Sequence, residues 1–224
     1  MVQYDFSKTI EEGKLIKTRH LDKPPTVLRS AISKLKATHE FEWSAVGKYV
    51  SKMLESKPKM REKFKYQGIE LDQLFEANYD HRESGRGCEG CDKGRLLARG
   101  SRDTSDPVIH YGLIGSANQA MRHGTTREKF RQEEDILCFE TEAAGLMDNF
   151  PCLVIRGICD YSDTHKNKHW QPYAAAVAAA YAKELLEIIP PAQVDRTLVA
   201  ADRIKVSLFN YLPYHSMVLI DYSD

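Results

Sequence analysis

Three short apolar runs in the second half of the chain constrain its fold more than any other feature. They read VIHYGLIG (108–115), ILCFE (136–140) and CLVIRGICD (152–160). Each is nearly continuous in apolar character, the pattern of a strand covered on both faces. Helical spacing fills the gaps between them, over Thr126 to Glu134 and Glu142 to about Asn149. A longer helix follows in PYAAAVAAAYAKELLEII (172–189). Its Ala174, Val177, Ala178, Tyr181, Leu185 and Ile188 share one face, and Pro190-Pro191 ends it. Strands alternating with helices predict βαβ units. The expected class is α/β, in three layers α/β/α around a mainly parallel or mixed sheet.

The first third is helical in pattern. Pro24 and Pro25 precede VLRSAISKLKA, with Val27, Leu28, Ala31, Ile32 and Leu35 on one face. Trp43 to Leu54 repeats the spacing through Val46, Val50, Met53 and Leu54. Residues 57–106 are polar and weakly periodic. They read as a long surface excursion with one short ordered piece near LDQLFEANYD (71–80). Residues 192–224 form a tail whose VSLFNYLPYHSMVLIDYSD is apolar and aromatic with no evident partner. An added strand or undocked sequence would each fit it.

At 224 residues, one domain with a tail is the default. Lys+Arg and Asp+Glu both number 32, so the formal net charge is zero. That balance gives no electrostatic case for nucleic acid or an anionic membrane. The basic KPKMREKFK (57–65) reads as a solvated helix face. No apolar run approaches the roughly 20 residues a membrane span needs. Five cysteines, an odd number, argue against a disulfide framework. Cys138, Cys152 and Cys159 sit in the apolar runs, where a free thiol packs as a small hydrophobe. The first residues lack a basic-then-apolar signal pattern. A reducing, cytoplasmic setting is the expectation.

Two weaker motifs stand apart. CEGC (88–91) has the Cys-x-x-Cys spacing of metal and redox sites. A zinc site usually needs a second ligand pair. His81 is near and His110 further on, but they make no clean pair, so no metal is assigned from sequence. A redox motif belongs at a strand-to-helix junction, and this one lies in a polar loop. HKNKHW (165–170) is basic with an aromatic. It reads as a lid over a pocket or as a solvated loop in which Trp170 anchors the next helix.

Three carboxylates fall where strands end. Glu140 and Glu142 follow ILCF, and Asp160 follows CLVIRGIC. In open α/β sheets, ligands bind beyond the carboxyl ends of the strands. If the two strands are neighbours, the three acids converge at one rim. Like charges crowded in a partly dry cleft would raise at least one pKa and supply an acid near neutral pH. A plainer reading stands beside this one. Glu142 is also where a helix dipole favours an acid, and Asp160 could simply cap the turn DYSDT. Arg156, inside the third run, wants a carboxylate partner.

This region resembles the nucleoside phosphorylase and nucleosidase superfamily, which includes purine nucleoside phosphorylases, uridine phosphorylases and methylthioadenosine nucleosidases. Members carry Glu-Met-Glu-Ala-Ala-Gly, here Glu140-Thr141-Glu142-Ala143-Ala144-Gly145. An apolar strand ending in Ser-Asp or a variant follows, here Cys159-Asp160. DPVIHYGLIGSANQAMRHG, CLVIRGICDYSDTHKNKHWQPYAA and YAKELL are similar to the version found in fungi at the start of large multidomain signalling proteins. The resemblance covers about residues 2–191.

The resemblance implies N-glycosidic bond cleavage in a purine-type nucleoside. Glu142 would hydrogen-bond the ribose hydroxyls and favour oxocarbenium-like charge on the sugar. Glu140 is the second member of that motif. Asp160 would protonate or hydrogen-bond the purine nitrogen at position 7, so that the base leaves neutral. Ser116 and Asn118 match a strand-end segment beside the base, although both are also ordinary turn residues. No organic cofactor is implied. Phosphate is the co-substrate of the phosphorylases, and water takes its place in the nucleosidases. Relatives are usually homo-oligomers. Thr141 replaces a Met that packs on ribose in relatives, a loss of about 1–2 kcal/mol of apolar contact. Members also begin with strands and glycine-rich loops that have no counterpart here. The expectation is therefore a partial domain over 1–191, missing N-terminal strands that carry the phosphate site. A non-catalytic nucleoside-sensing or interaction module of a signalling protein is the alternative function.

Overall fold

The computed structural model of the chain describes residues 1–5, 7–9, 15–17, 23–81, 87–100, 102–147 and 150–195. Its sheet has three parallel strands in the order β1 (Val2–Gln3), β4 (Leu113–Ser116), β5 (Ile136–Glu140). Val2 pairs with Gly115 and Gln3 with Ser116 on one side of β4. On the other, Gly115 pairs with Phe139 and Ser116 with Glu140. A separate antiparallel pair joins β2 (Ser7–Thr9) to β3 (Leu15–Lys17).

The crossover from β4 to β5 is α4 (Gly124–Glu134). It stops at Asp135, whose φ of 54° turns the chain straight into Ile136. Aspartate tolerates that left-handed conformation better than a branched residue. A single-turn helix α5 (Ala143–Met147) follows β5. The class is α/β with a parallel sheet, as the alternation predicts.

The N-terminal helices α1 (Thr26–Thr38) and α2 (Val46–Ser56) pack on the long α6 (Trp170–Glu187). Tyr173, Val177, Ala178, Tyr181 and Leu185 of α6 are buried against Ala31, Leu35, Val46 and Val50. One polar group joins this core. Glu184 accepts from the Ser44 hydroxyl at 2.8 Å, the Ala45 N–H at 2.7 Å and the His39 ring at 3.1 Å. It thereby satisfies a donor at the entrance of α2 that no helical carbonyl can reach. That cap starts the helix at Val46 rather than Trp43, which is 90% exposed.

The run 152–160 differs from expectation. It forms no ladder pairing among the described residues, and of 108–115 only Leu113–Gly115 joins the sheet. Leu153 and Ile155 pack on the α6 core, while Arg156, Ile158, Cys159 and Asp160 face a cavity. Gly157 lies against α6 so closely that a Cβ there would meet the Ala174 carbonyl oxygen at 2.1 Å. An apolar run predicts burial. It does not supply the hydrogen-bonding neighbour a ladder needs.

The polar excursion 57–106 holds more order than its composition announced. It contains two 3-10 turns, Pro58–Met60 and Ile69–Leu71, the one-turn helix α3 (Arg61–Phe64) and a third 3-10 turn, Lys93–Arg95. Phe75 is fully buried and bridges Leu96. Trp170 donates its indole N–H to the Leu71 carbonyl at 3.1 Å and meets Tyr66 edge-on, so it anchors the start of α6. The chain ends its described part in α7 (Pro191–Asp195). The rest of the tail, 196–224, lies outside the described residues. No helix among the described residues is long and apolar enough to cross a membrane.

Candidate functional site

A cavity of about 470 Å³ opens beside the carboxyl end of β5. Glu140, Thr141, Arg156, Cys159, Asp160 and Lys166 are among the residues lining it. That volume is in the range of small-molecule sites, roughly 300–1,000 Å³.

The three carboxylates have three different surroundings. Glu140 is wholly buried, and its Oε2 accepts from the N–H groups of Glu142 at 2.8 Å and Ala143 at 2.7 Å. Ser116, its ladder neighbour on β4, accepts the next N–H, that of Ala144, at 3.2 Å. Together they satisfy the opening donors of α5. The sequence offered Glu142 a helix-dipole role at this terminus; the capping hydrogen bonds come from Glu140 and Ser116. The other oxygen, Glu140 Oε1, is buried without a hydrogen-bond partner among the described residues.

Glu142 is half-exposed and is not among the residues lining the cavity. Burial works against its charged form, but the Thr141 hydroxyl and amide outweigh this, with help from Arg156. The carboxyl is held below its ordinary range. Arg156 spans the two glutamates, with Nη1 3.9 Å from Glu140 Oε2 and 3.7 Å from Glu142 Oε2. The arginine in the third apolar run therefore has two acidic partners.

Asp160 faces Lys166, with Nζ 3.2 Å from Oδ2. Its Oδ1 accepts from the Ser162 N–H at 2.9 Å, which tightens the turn after the run. The neighbouring Cys159 thiol is pushed up to about 11 by burial and by the charge of Asp160. Asn118 is exposed and absent from the cavity lining. Its N–H donates to Asp5 Oδ2 at 2.6 Å.

Other residues gather here that sequence reasoning did not single out. Arg127 on α4 donates to the Tyr161 carbonyl at 2.6 Å and lies 3.4 Å from Asp163 Oδ2. Arg99 pairs with Asp72 at 2.7 Å and with the Tyr161 hydroxyl, which also donates to Asp72 at 2.5 Å. Arg127 and Arg99 both line the cavity and fix its far wall, 160–163, to distant segments. Nothing local marks them, because their partners are 27 to 62 residues away in sequence. Lys166 was visible only as part of a basic run.

The site thus has an acid–base pair at one rim and an arginine bracketed by glutamates at another, in an α/β protein with a cavity of small-molecule size. No protein-family model matches the chain, and no solved structure matches it. It is similar to a nucleotide-binding leucine-rich repeat (NLR)-like protein of Hyaloscypha variabilis, 42% identical over 193 residues. The match covers 85% of this chain and 18% of that protein. The chain therefore corresponds to a minor part of that relative's length.

Proposed function

We propose that the cavity binds a purine-type nucleoside and cleaves its N-glycosidic bond. The observation that carries this reading is the pairing of Asp160 with Lys166 on the same cavity as Arg156 and Glu140, with Glu142 beside Arg156. The motif resemblance supplies the substrate class. A base edge offers an acceptor nitrogen, and Asp160, with Lys166 Nζ 3.2 Å away, would donate toward it. Donating toward the departing base would let it leave neutral. At the sugar, Glu142 would accept from ribose hydroxyls, and its negative charge would favour positive character at the breaking bond. Glu140, committed to α5, would hold Glu142 and Arg156 in place. Ser116 acts through the same cap. The fuller architecture that goes with this function is three-layered α/β/α, with a homo-oligomer sharing pockets. Phosphate or water would attack the sugar.

The test is base release from adenosine, inosine and methylthioadenosine by the purified chain, with and without phosphate. Turnover that vanishes in Asp160→Asn supports the reading. Turnover unchanged in that variant removes the mechanism.

A second reading rests on the relative named above. The similarity lies in a small part of a protein described as NLR-like, and Thr141 stands where a ribose-packing Met is expected. The chain would then sense a nucleoside without turning it over. Calorimetric binding of a nucleoside with no base release selects this alternative.

A further inference from the structure

The polar segment folds back on itself. Its limbs are joined where Phe75 bridges Leu96, where the Glu76 N–H donates to the Arg95 carbonyl at 2.9 Å, and where Leu97 donates to Leu74 at 2.9 Å. Beyond this ladder, three metal-type ligands meet. A ring nitrogen of His81 and the Sγ atoms of Cys88 and Cys91 all lie within 4.8 Å of one another. Cys91 is buried, and neither Cys88 nor Cys91 is in a disulfide.

The surroundings orient these groups. The Cys91 N–H donates to the Cys88 carbonyl at 3.2 Å, closing the Cys-x-x-Cys turn with both thiols on one side of the ladder's end. His81 Nε2 lies 2.8 Å from the Gly87 carbonyl, which can only accept. Nε2 therefore carries the proton, and Nδ1 keeps the lone pair a metal needs. The His81 N–H is held by Thr164 Oγ1 at 2.8 Å.

A fourth group sits beside them. The His165 ring is 5.6 Å from that of His81, centroid to centroid. Its side chain is 1% exposed, stacked on Phe75 at 4.2 Å and Tyr79 at 5.3 Å. Neither ring nitrogen has a hydrogen-bond partner among the described residues. Nδ1 is 3.6 Å from Asp163 Oδ1, too long for a hydrogen bond but placed to orient the ring through that nitrogen. Nε2 is left to ligate. A buried imidazole with no hydrogen bond at Nε2 is out of keeping with ordinary packing, since buried polar groups are nearly always satisfied.

We propose that His81, Cys88, Cys91 and His165 form a structural zinc site that pins the segment 72–99 onto the loop following Asp160. Two thiolates and two imidazoles are a closed tetrahedral set suited to zinc. On binding, each thiol releases its proton to solvent as the sulfur takes the metal, and no oxidant takes part. The sequence concealed this set because its members do not come as two close pairs. His165 is 74 positions from Cys91 and comes beside His81 through its stack on Phe75. The site does not depend on what the neighbouring cavity does.

The test uses the full chain, purified under reducing conditions, stripped with a chelator and titrated with zinc or cobalt(II) alone. One equivalent should bind. Cobalt should give tetrahedral d–d bands with a thiolate charge-transfer band, and zinc but not magnesium should raise the melting temperature. Cys88→Ser and Cys91→Ser should each abolish the charge-transfer signature of a two-thiolate site, whereas Cys152→Ser should leave it intact. His165→Ala should weaken zinc at least about tenfold, on the order of the loss seen when a metal's supporting shell is removed. The cobalt spectrum of the unaltered chain reports the thiolates even if a variant fails to fold. A reduced chain that takes up no zinc overturns the proposal, as does zinc retained by the Cys88→Ser/Cys91→Ser double variant. A chain isolated with a Cys88–Cys91 disulfide that binds no metal after reduction does the same. Unchanged affinity in His165→Ala removes His165 as the fourth ligand.

Discussion

Lys166 Nζ lies 3.2 Å from Asp160 Oδ2, across the turn that ends the third apolar run. Six residues separate them in sequence, and the Ser162 N–H bond to Asp160 Oδ1 at 2.9 Å sets the turn that brings them together. If this pair delivers a proton to a leaving base, the two residues should differ in consequence. Asp160→Asn should lower base release by about 100-fold or more, the scale of general acid catalysis. Lys166→Met should lower it less and shift the alkaline limb of the pH–rate profile, on which a general acid loses its proton. Steady-state kinetics of both variants over pH check this, and equal losses with the same profile would count against Asp160 as the donor.

Glu140 and Glu142 should separate by stability. Glu140→Ala strips the acceptor from two N–H groups of α5, a loss of about 1–3 kcal/mol. Glu142→Ala, at a half-exposed position, should stay within about 0.5 kcal/mol. Urea unfolding of the two variants decides it, and a larger loss at Glu142 would refute the division of roles.

Acid should expose Glu142. Its folded carboxyl is held below the ordinary 4.5, so its contribution is present above that value. The contribution is lost as pH falls through the depressed folded value. Urea midpoints followed from pH 6 to about pH 3 should therefore fall more steeply for the unaltered chain than for Glu142→Gln. Parallel curves would show that Thr141 and Arg156 do not favour the ionised form.

Cys159 should resist alkylation near neutral pH, because burial and Asp160 push its thiol up to about 11 and the thiolate is the reactive form. Asp160→Asn removes one of these causes, so labelling of Cys159 should begin at lower pH. Peptide-level mass spectrometry after iodoacetamide treatment reads both states. Identical labelling would mean that burial alone governs the thiol.

Two glycines should respond in opposite directions to the same added methyl. At Gly157 a Cβ would meet the Ala174 carbonyl oxygen at 2.1 Å, so Gly157→Ala should cost about 1–3 kcal/mol. At Gly145, inside α5, an added Cβ would meet nothing within 4 Å, and Gly145→Ala should stabilise by about 0.5–1 kcal/mol. Thermal melts of both variants give the signs directly.

The sequence by itself determined the local and periodic features. The buried face of α6, the crossover helix α4 and the strand β5 follow from spacing, because 3.6- and 2-residue periodicities are properties of neighbouring residues. Of the three carboxylates expected at one rim, Glu140 and Asp160 line one cavity and Glu142 does not. Tertiary structure alone decided three other things. It denied 152–160 a ladder, because apolar character secures burial but not a hydrogen-bonding neighbour. It gave the cap of α5 to Glu140 rather than Glu142, because which acid reaches the open N–H groups depends on where β5 ends against Ser116. And it brought Cys88 and Cys91 to His81, with His165 beside that ring. Contacts of that kind depend on side chains meeting across long stretches of chain, and no local periodicity records them.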